Sequence, residues 1–169
     1  MNFNNYTIKS QEIIQKSQSL AQEFGHSQIE NEHIFKAIIL IDENVIPFLL
    51  KKTNINEEIV KKILDKELES FVKVSGAELS LTRETIKTLN EASIIAKKMS
   101  DEFVSVEHIV MAIFKSKSKI AQILKDQGMT QKDLKAAINE LRKGNRVTSQ
   151  NAEETYNSLS KYANNLNQM

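Results

Sequence analysis

A chain of 169 residues with 40% hydrophobic and 27% charged side chains has the composition of a soluble globular protein, with room for one well-buried domain plus a tail but not for two enzyme domains. Its 23 Lys and Arg nearly balance 22 Asp and Glu, so the net charge of +1 supplies no basic field for nucleic acid, and the lack of cysteine rules out disulfides and thiolate-held metals. The first five residues carry neither the basic nor the apolar region of a signal peptide, and no apolar run approaches the ~20 residues that cross a bilayer. A cytoplasmic chain with no membrane partner is expected.

One Pro, four Gly and apolar residues at three- and four-residue spacing predict an all-α fold. Thr7 is suited to cap a first helix running to about Phe24, with Ile13, Ile14, Ser17, Leu20, Ala21 and Phe24 inward and Gly25 as its stop. A second helix is predicted near Asn31 to Ile41, carrying Ile34, Phe35, Ala37, Ile38 and Ile41. A short third holds Val45, Ile46, Phe48, Leu49 and Leu50, and a fourth begins after Asn56 with Ile59, Ile63, Leu64 and Leu68 inward. Residues 71–81 read as a loop. Thr82 opens a fifth helix to about Ser100 (Ile86, Leu89, Ala92, Ile95, Ala96, Met99), and Ser105 caps a sixth with Ile109, Ala112 and Ile113 inward. Ile120, Ile123 and Leu124 mark a seventh. Thr130, with Asp133 in the box position, caps an eighth through Leu134, Ala137, Ile138 and Leu141.

The order repeats because the sequence does. Glu32-His33-Ile34-Phe35-Lys36-Ala37-Ile38 returns as Glu107-His108-Ile109-Val110-Met111-Ala112-Ile113, an offset of 75 (107 − 32), and Thr7 matches Thr82 at the same offset. The chain is therefore two copies of one unit, about 6–70 and 81–143, forming a pseudo-twofold bundle of two four-helix repeats over 1–143. After Gly144 the texture turns polar. Residues 144–151 read as a flexible linker, and Ala152 to Gln168 as a partial helix with a thin stripe of Tyr156, Leu159, Tyr162, Ala163 and Leu166.

The doubled Glu-His-Ile-x-x-Ala-Ile unit, with Gly25-His26 before its first copy, resembles the Clp N-terminal repeat domain that precedes the ATPase modules of class I AAA+ unfoldases. The opening Asn5 to Glu12 and the tail Leu141 to Tyr156 are similar to the ClpB type of disaggregase, so the chain is expected to be an N-terminal fragment of a longer machine. It contains no Gly-x-x-x-x-Gly-Lys-[Ser/Thr] phosphate loop, so no enzyme activity and no cofactor are expected of it, with ATP and Mg belonging only to the full-length parent. The resemblance implies a monomeric fragment of a hexameric parent. Its partners would be unfolded or aggregated protein clients and the ATPase modules of the same chain. It also implies a role in client handling for Thr7, Asp101 and Glu107.

Each candidate has a plainer reading beside it. Thr7 and Thr82 suit N-caps, and Glu32 and Glu107 fall in first turns where the helix dipole favours negative charge. His33 and His108 then pack at the same turn between the units. Glu30-x-x-His33 has the spacing of a helical metal site, but Ser105 replaces that glutamate in the second copy, and no metal is expected. The paired lysines, Lys97-Lys98 among them, read as solvated faces.

Differences between the copies locate a candidate binding face. Ile94 replaces Ser19, Asp101 replaces His26, Phe103 replaces Gln28, Val106 replaces Asn31 and Met111 replaces Lys36. With Leu89, Ile95 and His108 these residues predict a shallow, partly exposed apolar groove on the second unit, with acidic residues at its rim, that captures unfolded polypeptide. The alternative function, docking a specific adaptor for a Clp protease, calls for a polar interface instead.

Overall fold

The computed structural model describes residues 2–76, 78–154 and Tyr156. The predicted stripe residues Leu159, Tyr162, Ala163 and Leu166 lie outside them. The first repeat comprises α1 (Ile8–Glu23), β1 (Gln28–Ile29), α2 (Asn31–Ile41), α3 (Val45–Lys52) and α4 (Glu57–Glu69). After the connecting segment come β2 (Ser80–Leu81), α5 (Arg83–Lys98), α6 (Val106–Lys115), α7 (Lys119–Asp126) and α8 (Gln131–Arg142). The chain is mostly helical, as its periodicity dictates.

The helix starts follow from the capping residues. Thr7, Asn56, Thr82 and Thr130 each accept the backbone N–H three residues on, from Ser10, Ile59, Thr85 and Asp133. At α2 and α6 the histidine at the third helical position completes the cap, since the backbone N–H of Glu30 donates to His33 Nδ1 and that of Ser105 to His108 Nδ1, both at 2.9 Å. Gly25 follows α1 with φ +72°, a left-handed turn that glycine adopts without a Cβ clash.

The two four-helix repeats pack into one pseudo-twofold bundle by exchanging helices. The equivalent helices α2 and α6 lie against each other at the centre, α3 packs on α8 and α6 of the second repeat, and α7 packs on α4 and α2 of the first. Each repeat thus lends its third helix to the other. The connecting segment is not only a loop. β2 pairs in parallel with β1, Gln28 opposite Ser80 and Ile29 opposite Leu81, and the same contact recurs one repeat earlier as a parallel bridge between Tyr6 and Val104. These two-residue strands are too short for a period-2 pattern to announce them.

The core is continuous through both repeats, and Tyr6, Phe35, Ile38, Leu49, Leu64, Leu89, Ile109 and Ile113 are among its fully buried side chains. Four inward assignments are corrected. Ile59 and Ile63 are exposed on α4, which buries Val60, Leu64 and Leu68 instead, and Phe24 and Ile86 also reach solvent. The supposed free linker is corrected as well. Val147, Ala152, Glu153 and Tyr156 are buried, the Glu102 N–H donates to Val147 O at 2.8 Å, and the Ile8 N–H donates to Gln150 O at 3.0 Å. Residues 147–154, with Tyr156, strap across the starts of α1 and α6.

Candidate binding groove

Between α5, α6 and α8 the second repeat opens a groove of about 250 Å³. Ile95 and Met99 from α5, Met111 from α6 and Ile138 from α8 make its apolar part, Lys98, Lys115 and Lys135 stand around it, and Glu107, Gln131 and Asn139 complete it. The corresponding place in the first repeat is lined by Phe24, Lys36, Asp65 and Leu68 among others, and there Lys36 Nζ reaches Asp65 at 2.8 Å, bridging α2 to α4. Met111 occupies the position of Lys36. Losing that ion pair leaves the second copy an apolar floor.

Behind this groove lies a buried charge network that ties the candidate acids together. Arg142, at the end of α8, donates from Nε to Glu107 Oε2 at 2.7 Å and from Nη1 to Asp101 Oδ1 at 2.9 Å. His108 Nε2 meets Asp101 Oδ2 at 2.7 Å, and because its Nδ1 accepts the Ser105 N–H, the proton sits on Nε2 and is donated to the aspartate. The strap joins in through the Val147 N–H, which donates to Asp101 Oδ1 at 2.9 Å. Burial alone would raise Asp101, but the bonds from His108, Arg142 and Val147 outweigh it and hold the carboxyl at about 2. Arg142 is held firmly protonated, the pull of Glu107 and Asp101 exceeding the effect of burial.

Glu153 of the strap is the second acidic centre. Its Oε2 accepts the Thr7 hydroxyl at 2.7 Å and the Val106 N–H at 3.1 Å, joining the starts of α1 and α6. Burial and then the neighbouring Glu107 charge push its pKa up to about 7, against the lowering effect of those donors. Tyr156 is raised by burial first and by Glu107 second, and its ring packs against the Arg142 guanidinium. Glu107 Oε1, Glu153 Oε1 and the Tyr156 hydroxyl are buried without a hydrogen-bond partner among the described residues.

The first copy of the same turn is built differently. His33 accepts the Glu30 N–H at Nδ1 and its Nε2 meets His26 Nδ1 at 2.8 Å, so both ring nitrogens are committed and no lone pair is left for a metal. Burial, then His26, pushes His33 down to about 4. Glu32 accepts the Ile120 N–H at 3.1 Å and so caps α7 of the other repeat, with burial raising it to about 7. The matching start of α3 is already capped by Asp42, which accepts the Val45 and Ile46 N–H groups, and Glu107 turns to Arg142 instead.

Of the ten residues singled out from sequence, Ile95, Glu107 and Met111 line the groove. Thr7, Asp101, Glu107 and His108 are buried in or beside the polar network, while Leu89 and Val106 are sealed in the core. Phe103 is half-buried against that core, and Ile94 is 45% exposed on a face of α5 that does not line the groove. The acidic rim is corrected to a cationic one, because the acids point inward to Arg142. Sequence reasoning missed Arg142, Glu153, Met99 and Ile138. Paired differences would have flagged Arg142, since His26 becomes Asp101 and Glu67 becomes Arg142 across the same repeat.

Thr7 and Thr82 offer a direct comparison of cap against network. Thr82→Ala loses one cap and is expected to cost about 1 kcal/mol. Thr7→Ala also strands the Glu153 carboxylate, and urea unfolding is expected to show about 2 kcal/mol.

Residues 5–127 match the Clp repeat (R) N-terminal domain family. The chain is 50% identical over 168 residues to the chaperone protein ClpB of Bacteroides thetaiotaomicron and 45% identical over 166 residues to that of Porphyromonas gingivalis, covering 99% and 98% of this chain. It spans about one fifth of the length of these relatives, 20% and 19%. In fold it is similar to the Hsp104 N-terminal domain of Candida albicans, with a TM-score of 0.78 at 22% identity over 89% of this chain and 99% of that one. The ClpV N-domain solved in complex with a VipB peptide is similar in fold at a TM-score of 0.67 and 15% identity, over 81% and 86% of the two chains. A doubled helical unit exchanging its third helices, matched by sequence over most of its length, establishes that this chain belongs to the Clp repeat N-terminal domain family.

Proposed function

We propose that the groove between α5, α6 and α8 captures unfolded or aggregated polypeptide, and that the chain serves as the client-recognition domain of an ATP-driven disaggregase without catalytic chemistry of its own. The observation that carries this reading is the broken symmetry of the groove. Lys36 and Asp65 close the first copy with an ion pair, whereas Met111 leaves an apolar floor in the second. Methionine and isoleucine suit a tolerant surface, since Met repacks around side chains of different shape. That the relatives are ClpB chaperones, and that the similarly folded ClpV N-domain holds a peptide, both support a polypeptide ligand. A shallow groove of this size binds weakly alone, so a hexameric parent would multiply its effect through avidity.

Titration with a permanently unfolded protein, followed by methyl NMR, is expected to shift Ile95, Met99, Met111 and Ile138. Met111→Lys, which copies the first repeat, is expected to abolish those shifts while leaving the helical circular dichroism intact. Ile95→Gln, at a half-buried position, is expected to weaken them. Shifts confined to other faces, or none at any concentration, sink the reading.

A further inference from the structure

The exposed charges lining the groove are of one sign, the one lining acid, Glu107, being fully buried. Lys98 from α5, Lys115 from α6 and Lys135 from α8 converge on it from three helices, and the acids that could offset them are otherwise engaged. Asp101 and Glu107 face Arg142, and Glu91 takes Lys115 at 2.9 Å. Lys98 and Lys135 make no ion pair among the described residues. In the first repeat the corresponding pocket holds Asp65 and Glu69 beside Lys36 and Lys73, so only the second copy combines an apolar floor with an unopposed cationic rim.

We infer that the preferred occupant of this groove is an apolar polypeptide segment flanked by acidic side chains. The inference rests on the reading of the groove as a polypeptide site and adds its selectivity. Apolar side chains of the segment cover Ile95, Met99, Met111 and Ile138. Carboxylates on either side meet Lys98 and Lys135 at the edge of a low-dielectric surface, where attraction exceeds its value in open water. Basic flanks meet like charge and are disfavoured. A client is thereby selected by what borders its exposed apolar stretch as well as by the stretch itself.

Three labelled peptides with one apolar core and Glu, Gln or Lys flanks distinguish the possibilities by fluorescence anisotropy with the whole chain. At low salt the Glu-flanked peptide is expected to bind about fivefold tighter than the Gln-flanked one, with the Lys-flanked one weakest. At 1 M NaCl the three are expected to converge. In the Lys98→Gln/Lys135→Gln double variant, both positions being exposed, the gain from Glu flanks is expected to disappear. Equal affinities for Glu and Gln flanks overturn this inference while leaving the groove as a polypeptide site. Failure of all three peptides to bind overturns both.

Discussion

Arg142→Met is expected to destabilise the chain by about 3–5 kcal/mol, the cost of leaving buried carboxylates without their counter-charge. Among the described residues the guanidinium is the only group that bonds Asp101 and Glu107 together, and both acids are buried. Asp101 keeps His108 and the Val147 N–H, but Glu107 is left with no hydrogen-bond partner among the described residues. The thermal midpoint should fall by roughly 10 °C. Adding Glu107→Gln to the variant removes one stranded charge and is expected to recover part of the loss, a coupling that a double-mutant cycle in urea measures directly. A loss below about 1 kcal/mol, or simple additivity of the two changes, would mean the network is solvated in solution. Any effect of Asp101 or Glu107 substitutions on client binding must first be separated from this structural loss.

Glu153→Gln is expected to act in the opposite direction, with a gain that grows as pH rises above about 4.5. The Glu153 carboxyl is raised to about 7 from 4.5, so between those values the folded chain keeps a proton that the unfolded chain has released. Stability therefore falls as pH rises through that window, and the deficit is complete above it. Glutamine keeps the acceptor for Thr7 and Val106 without the charge. The variant should exceed the parent by on the order of 2–3 kcal/mol at pH 8 and match it near pH 4.5. Glu32 shifts in the same sense, while His33, pushed down to about 4, loses stability as pH falls from 6.5. The difference between variant and parent isolates Glu153 from both. A constant difference across pH 5–8 would show that Glu153 is already ionised at little cost.

Helix positions were readable from the chain because each rests on local chemistry: a capping Thr or Asn, a three-to-four apolar spacing, and Gly25 as a stop. Ile59 and Ile63 show where that reading ends. They form an apolar arc on α4 one residue, about 100°, from the arc of Val60 and Leu64, and only the arrival of α2 and α7 decides which arc is buried. The groove was half legible. Met111 stood out because its counterpart is Lys36, but the cationic rim did not, since Lys98 and Lys135 come from separate helices and either alone resembles an ordinary solvated lysine. The acids misled in the same way. Asp101 and Glu107 look like rim residues until Arg142, 35 positions beyond Glu107, is brought against them by the fold. The polar run after Gly144 resembles a linker because its docking depends on Val147 and Glu153 meeting backbone donors from distant turns.

The exchange of α3 and α7 bears on how the chain can come into being. As the N-terminal half leaves the ribosome, the apolar side chains of α3 have no α8 to meet, and α4 has no α7. The first copy must wait, incompletely buried, until more than 120 residues have been made. For the same reason a nick within residues 71–76 should leave the two halves clasped, while either half expressed alone should stay unfolded and the pair should assemble on mixing. Although the gene was doubled, the duplication yielded a single folding unit in which neither copy can be born or lost without the other.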